Sequence, residues 1–252
     1  MTFHPAPDDV STALAALHEA LEAAGAAPRA ARTRSTDLRT TFLLHNAALT
    51  CLPNLPSLPT DAAGAALVQA LAEHRIPADV TIDAQETDTD LTLATFWVHN
   101  AAAAHQLADF VLGHLPEPYA AALHLRRAVR AAGAVQLSVS VRKDHLSADR
   151  TGCSAPVPCV ELGEISARNA FHLLLNALAD DPQEYPFDWD NWEILPPMAL
   201  LFTEAVAQAT GVGLDVTPVP GCRNCRENSF DLGLLTPDAT RTLADALQAA
   251  AG

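Results

Sequence analysis

Basic residues are scarce. Fifteen lysines and arginines stand against 30 aspartates and glutamates, a formal net charge of -15 over 252 residues. That balance argues against a nucleic-acid-binding surface, because phosphate contacts are supplied mainly by Lys and Arg. A basic protein partner is the easier fit. Long apolar runs are missing too, and none approaches the roughly 18 residues of a membrane span. The opening stretch Met1 to Asp9 has neither a basic n-region nor an apolar h-region, so no signal peptide is expected and the cytoplasm is the expected address. Five cysteines in a chain of this length point away from a disulfide framework and toward reduced thiols or a metal. The phosphate-binding, dinucleotide, zincin and nucleophile-elbow signatures are all absent. Their absence argues against those enzyme classes without excluding a site assembled from distant residues.

What the chain does have is an internal repeat. Thr41-Phe42-Leu43-Leu44-His45-Asn46-Ala47-Ala48 returns as Thr95-Phe96-Trp97-Val98-His99-Asn100-Ala101-Ala102. Ahead of each lies a helical pattern, Ala15 to Leu21 and Ala65 to Leu71. Each copy then reads helix, strand, turn, strand, helix, with Asn46 and Asn100 at N-cap positions. Val10, Leu14, Leu17 and Leu21 form the apolar face of the first helix, which Gly25 ends. In the second copy Val80 and Ile82 alternate with Asp79, Thr81 and Asp83, and Leu91 to Val98 is the return strand. The acidic tip between them, Gln85 to Asp90, lacks the glycine and terminal glutamate of a calcium loop and reads as a solvated hairpin end.

The second half repeats this grammar in other words. Ala121 to Val129 reads as a helix, Val135 to Val141 as a half-buried strand, and Glu161-Leu162-Gly163 leads into a helix from Asn169 to Leu178. Leu200 to Ala209 is again helical and Leu214 to Val219 strand-like. Asp231-Leu232-Gly233 echoes the earlier tripeptide before a last helix that Thr236 caps and Pro237 opens. The expected fold is therefore α+β: about four degenerate α-β-β-α copies, their antiparallel hairpins forming one or two sheets with helices packed on one face. Copies 1 and 2 fill residues 1–115 and copies 3 and 4 residues 116–252, with Pro116 and Pro118 at the boundary.

Two groups of residues invite a functional role. The chain holds three tryptophans, two tyrosines and eight phenylalanines, and four of these rings, Tyr185, Phe187, Trp189 and Trp192, crowd into one aperiodic stretch. Either they pack across the junction of copies 3 and 4, or they are an exposed anchor for a basic partner, since Trp and Tyr dominate interface hot spots. The second group is Cys153, Cys159, Cys222 and Cys225, read as lying in the tips of the third and fourth hairpins. Four thiolates there would enclose one structural zinc ion; one or two disulfides, or unpaired thiols, are the other readings. Cys51 reads as a small buried residue. His45, His99 and His105 match no acid–base or metal spacing.

In architecture, though in no motif, tandem units of this kind resemble the secretion-chaperone type of domain and the bacterial protein inhibitors built from two helix-hairpin-helix repeats. The resemblance implies a surface that holds another protein. The leading expectation is thus an acidic cytoplasmic protein-binding module, such as an immunity protein, inhibitor or chaperone, with no evident catalytic motif. Two alternatives stand beside it: an enzyme or small-molecule binder using His99, His105 or the cysteines between the halves, and a self-associating structural protein forming a homo-oligomer.

Overall fold

Val10, Leu14, Leu17 and Leu21 recur at helical spacing. The computed structural model, which describes residues 7–28, 39–45, 60–84, 91–98, 100–142, 159–179, 181, 183–221 and 227–251, winds them into α1 (Pro7–Ala23). Leu17 and Leu21 are wholly buried, and Gly25, at φ 86, turns the chain out of the helix into β1 (Ala26–Pro28). There follow β2 (Arg39–His45), α2 (Thr60–Glu73), β3 (Ala78–Ala84), β4 (Leu91–Val98) and α3 (Ala101–Gly113). The four strands make one antiparallel sheet in the order β1-β2-β4-β3, so the two inner strands come from the two hairpins. Their register sets Thr41 opposite Thr95. Asn100 caps α3, its Oδ1 accepting from Ala103 N at 2.9 Å. The helices α1 and α3 pack together, and Ala13 and Ala20 of the first and Ala103 and Ala104 of the second are buried. Asn46, residues 85–90 and His99 lie outside the described residues.

The chain divides into two units, Met1–Pro116 and Glu117–Gly252. The second begins with α4 (Glu117–Ala131), β5 (Val139–Arg142) and β6 (Cys159–Ser166). Next comes α5 (residues 167–178), then α6 (Leu195–Thr210), β7 (Thr217–Val219), β8 (Ser229–Leu235) and α7 (Pro237–Ala251). Its sheet has the order β5-β6-β8-β7, and again hairpin partners flank two inner strands. Here Leu162 stands opposite Gly233, so the two tripeptides Glu161-Leu162-Gly163 and Asp231-Leu232-Gly233 face each other across the sheet. In both strands the alternation of buried residues slips at the glycine, from Val160 and Leu162 to Ile165, and from Phe230 and Leu232 to Leu235. Gly233 makes its slip at φ +73, where a Cβ would lie 2.8 Å from the backbone oxygen of Asp215. The core of this unit gathers Leu125, Val129, Leu162, Phe171, Phe202, Phe230 and Leu247.

Several boundaries differ from the sequence expectation. The strand expected from Val135 starts only at Val139, because Gly133 at φ 81 ends α4 and Leu137 N bonds back to Ala134 O in a turn. Val135 is left 69% exposed there. The strand expected from Leu214 is confined to Thr217–Val219. The helix expected from Leu200 begins at Leu195, with prolines in its first turn, where a missing N–H leaves no intrahelical bond unmade. Finally, α5 is not α-helical throughout: Ala170–Leu175 is a π-helix in which Asn176 N donates to Phe171 O.

Candidate functional site

The aromatic stretch starts where α5 ends. Asn176 holds its beginning by a reciprocal pair, Nδ2 donating to Gln183 O at 3.0 Å and Oδ1 accepting from Gln183 N at 3.1 Å. Near its other end the Asn228 side chain donates to Trp189 O at 2.8 Å and accepts from Gly221 N at 2.8 Å. The segment between has no regular structure, so these side chains supply what a ladder would supply to a strand. It lies over the π-helical turn as a strap.

The rings of Tyr185, Phe187 and Trp189 point onto Phe171, with centroid distances of 4.9, 5.3 and 5.8 Å. Phe171 in turn meets Phe202 at 5.6 Å and Phe230 at 6.4 Å, so one fully buried ring joins the strap to α6 and β8. The edge-on and tilted geometry suits the ring quadrupoles, each such pair contributing about 0.5–1.5 kcal/mol beyond area burial. His172, next along the π-helical turn, lies 5.8 Å from Tyr185 and 5.5 Å from Trp189. Burial raises the phenol of Tyr185 above its ordinary pKa. These three strap rings are half-buried against the core, while Trp192 is not.

Trp192 is 61% exposed. It opens the 3-10 turn Trp192–Ile194, which Asn191 caps by accepting from Glu193 N at 3.0 Å and which runs straight into α6. From there α6 has two faces. Leu195, Met198, Ala199, Phe202 and Val206 are buried, whereas Pro196 and Pro197 are exposed and Leu200 and Leu201 are 60% and 45% exposed. Pro196 and Leu200 are four positions apart and Pro197 and Leu201 run beside them, so these four share one side of the helix, while Trp192 stands in the 3-10 turn ahead of its N-terminus. Asp188, Asp190, Glu193 and Glu204 are exposed as well, Glu204 four positions after Leu200. Between Arg168 and Arg223 the chain has no lysine or arginine.

The other expected site residues are placed as follows. Cys159 is not in a hairpin tip but is the first residue of β6, buried, with Arg142 as its register partner. Cys153, Cys222, Cys225 and Cys51 lie outside the described residues, and among the described residues no group of three or more His, Cys, Asp or Glu side chains could hold a metal. His105 is exposed on α3. A cavity in the second unit, of about 10 Å³, is lined by apolar side chains including Val129, Leu174, Phe202 and Leu243; it is no larger than a water and has no polar partner for one. No described helix is long and apolar enough to cross a membrane. The sequence expectation starts α6 at Leu200 and so leaves off Pro196 and Pro197 and the face they share with Leu200 and Leu201. Two signals could have found it: the Leu200-Leu201 pair, which overfills a single helical stripe, and the absence of basic residues from 169–222.

Compared with family models, with curated proteins and with solved structures, the chain matches none of them.

Proposed function

We propose that the chain is an acidic cytoplasmic protein-binding module of the immunity-protein, inhibitor or chaperone kind, and that it holds its partner on the side of α6 that carries Leu200 and Leu201, with Trp192 ahead of the helix's N-terminus. One observation carries this reading. Leu200 and Leu201 are exposed side by side on α6, with Trp192 exposed in the turn ahead of it, in a stretch of chain whose charges are all negative. Isolated exposed apolar residues are ordinary, but a contiguous group with a polar rim has the anatomy of an interface. Within the anchor first read as Tyr185, Phe187, Trp189 and Trp192, the contact with a partner then falls to Trp192, and the other three rings hold the strap against Phe171.

The same proposal takes each unit as a pair of α-β-β-α copies. Its support is the shared strand order of the two sheets and the registers that set Thr41 against Thr95 and Leu162 against Gly233. In each case a residue meets its counterpart, or its counterpart's neighbour, across the inner strand pair. A structural zinc ion held by Cys153, Cys159, Cys222 and Cys225 stays in the proposal on sequence spacing alone.

The test is a paired gentle purification from the native host of the wild-type chain and of a Leu200→Ser/Leu201→Ser variant. A protein retained stoichiometrically by the first and lost by the second supports the reading. Identical recoveries, with or without companions, contradict it.

A further inference from the structure

The ridge on α6 has a shape and a charge that together narrow what can sit on it. Pro196 and Leu201 are five positions apart, so the ridge is about 8 Å long at the helical rise. Its apolar groups stand in two adjacent rows, Pro196 with Leu200 and Pro197 with Leu201, the members of each row about one turn apart. That is the surface presented by one helix to another, whose own apolar residues at intervals of three and four fill the groove between such rows. Strand addition is the competing mode, and the sheet of this unit is poorly made for it. Its edge strands are β5, with four residues, and β7, with three, and Pro218 removes a donor from the latter.

Charge narrows the choice further. Glu204 follows Leu200 and Leu201 by four and three positions, Glu193 precedes Pro196 by three, Asp188 and Asp190 are exposed earlier in the same stretch, and no Lys or Arg occurs from residue 169 to 222. A second copy of this chain would bring the same carboxylates against them, at a cost from like-charge juxtaposition. A partner carrying Lys or Arg beside its apolar anchors meets them with opposite charge. We infer that the occupant of the α6 ridge is a basic amphipathic helix of another protein, with its apolar stripe on Pro196, Pro197, Leu200 and Leu201 and its cations over the neighbouring carboxylates. This rests on the protein-binding reading above and specifies the partner's chemistry.

The probe is a labelled amphipathic helical peptide of leucines and lysines, with its binding to the full chain followed by fluorescence anisotropy. Three comparisons accompany it: a leucine–glutamate helix of the same pattern, a leucine–lysine peptide with alternating D-residues that cannot form a helix, and the Leu200→Ser/Leu201→Ser chain. If that variant loses its near-ultraviolet circular dichroism, Leu200→Gln replaces it. The leucine–lysine helix should bind the wild-type chain, and each comparison should be at least about tenfold weaker. Equal binding of the D-residue peptide, still lost in the variant, would overturn the helix and leave the docking face standing. Equal binding of the leucine–glutamate helix would overturn the basic partner. Equal binding by wild type and variant would overturn both this inference and the docking face. A concentration-dependent dimer abolished in the variant would assign the ridge to a second copy and overturn the heterologous partner.

Discussion

The side-chain amide of Asn228 donates to the backbone oxygen of Trp189 at 2.8 Å, tying together residues 39 positions apart. Asn228 is only 8% exposed, and its Oδ1 accepts from Gly221 N. Two loops therefore depend on one side chain, and water has little access to replace it. Asn228→Ala should destabilise the second unit by about 1–3 kcal/mol, the cost of leaving partly buried backbone groups without partners. Denaturant unfolding measures it, and the near-ultraviolet signal of Trp189 should weaken in the folded state.

Gly233 and Gly163 face each other's tripeptides, but they should respond differently to alanine. At Gly233 a Cβ would require φ +73 and would sit 2.8 Å from a backbone oxygen, which cannot move without the strand. The expected loss is about 1–3 kcal/mol. At Gly163 the atom nearest an added Cβ is the hydroxyl of Ser138, and a hydroxyl can rotate. Gly163→Ala should therefore cost less than Gly233→Ala in the same unfolding experiment, and the reverse order would contradict this account of the two turns.

The Tyr185 phenol has its pKa raised by burial. Folded and unfolded chains both hold the proton below the ordinary value of 10.0, so this group gives no pH dependence there. As pH rises past that value the unfolded state releases the proton first, and stability falls. Tyr185→Phe should flatten that part of the alkaline limb, as read by unfolding midpoints against pH. Phenolate absorbance should show one late-titrating tyrosine in the wild type that is missing in the variant.

Much of the fold was legible because its signals are local. Leu91–Val98, expected as the return strand of its hairpin, is a strand to the residue, Asn100 caps the helix it precedes, and Thr236 Oγ1 accepts from Ala239 N ahead of the last helix. The π-helical turn of Ala170–Leu175 left no such mark, since its one-residue widening depends on where Phe171 must reach. The same limit governed the site. Tyr185, Phe187, Trp189 and Trp192 look alike in sequence; only the position of Phe171, brought from α5, separates three inward rings from one outward ring. Charge was legible in total, but its concentration around α6 acquires meaning only once Leu200 and Leu201 are known to be exposed.

The zinc proposal has its own check. Metal analysis of chain purified without chelators should return about one zinc per chain, and Cys222→Ser/Cys225→Ser should release it. Metal-free protein of unchanged stability would end that proposal and leave Cys159 as a buried strand residue.

The most direct measurement of the central claim pairs stability with binding in one variant. Leu200→Ser/Leu201→Ser alters side chains that are 60% and 45% exposed, so its unfolding midpoint should stay near wild type, within about 0.5 kcal/mol per site. Its recovery of the native-host partner, compared with wild type by native mass spectrometry, should fall at least about tenfold. That combination, an intact fold that has lost its partner, is the predicted result. A variant that keeps its partner at wild-type occupancy would contradict the account, because α6 would then present its apolar face to nothing.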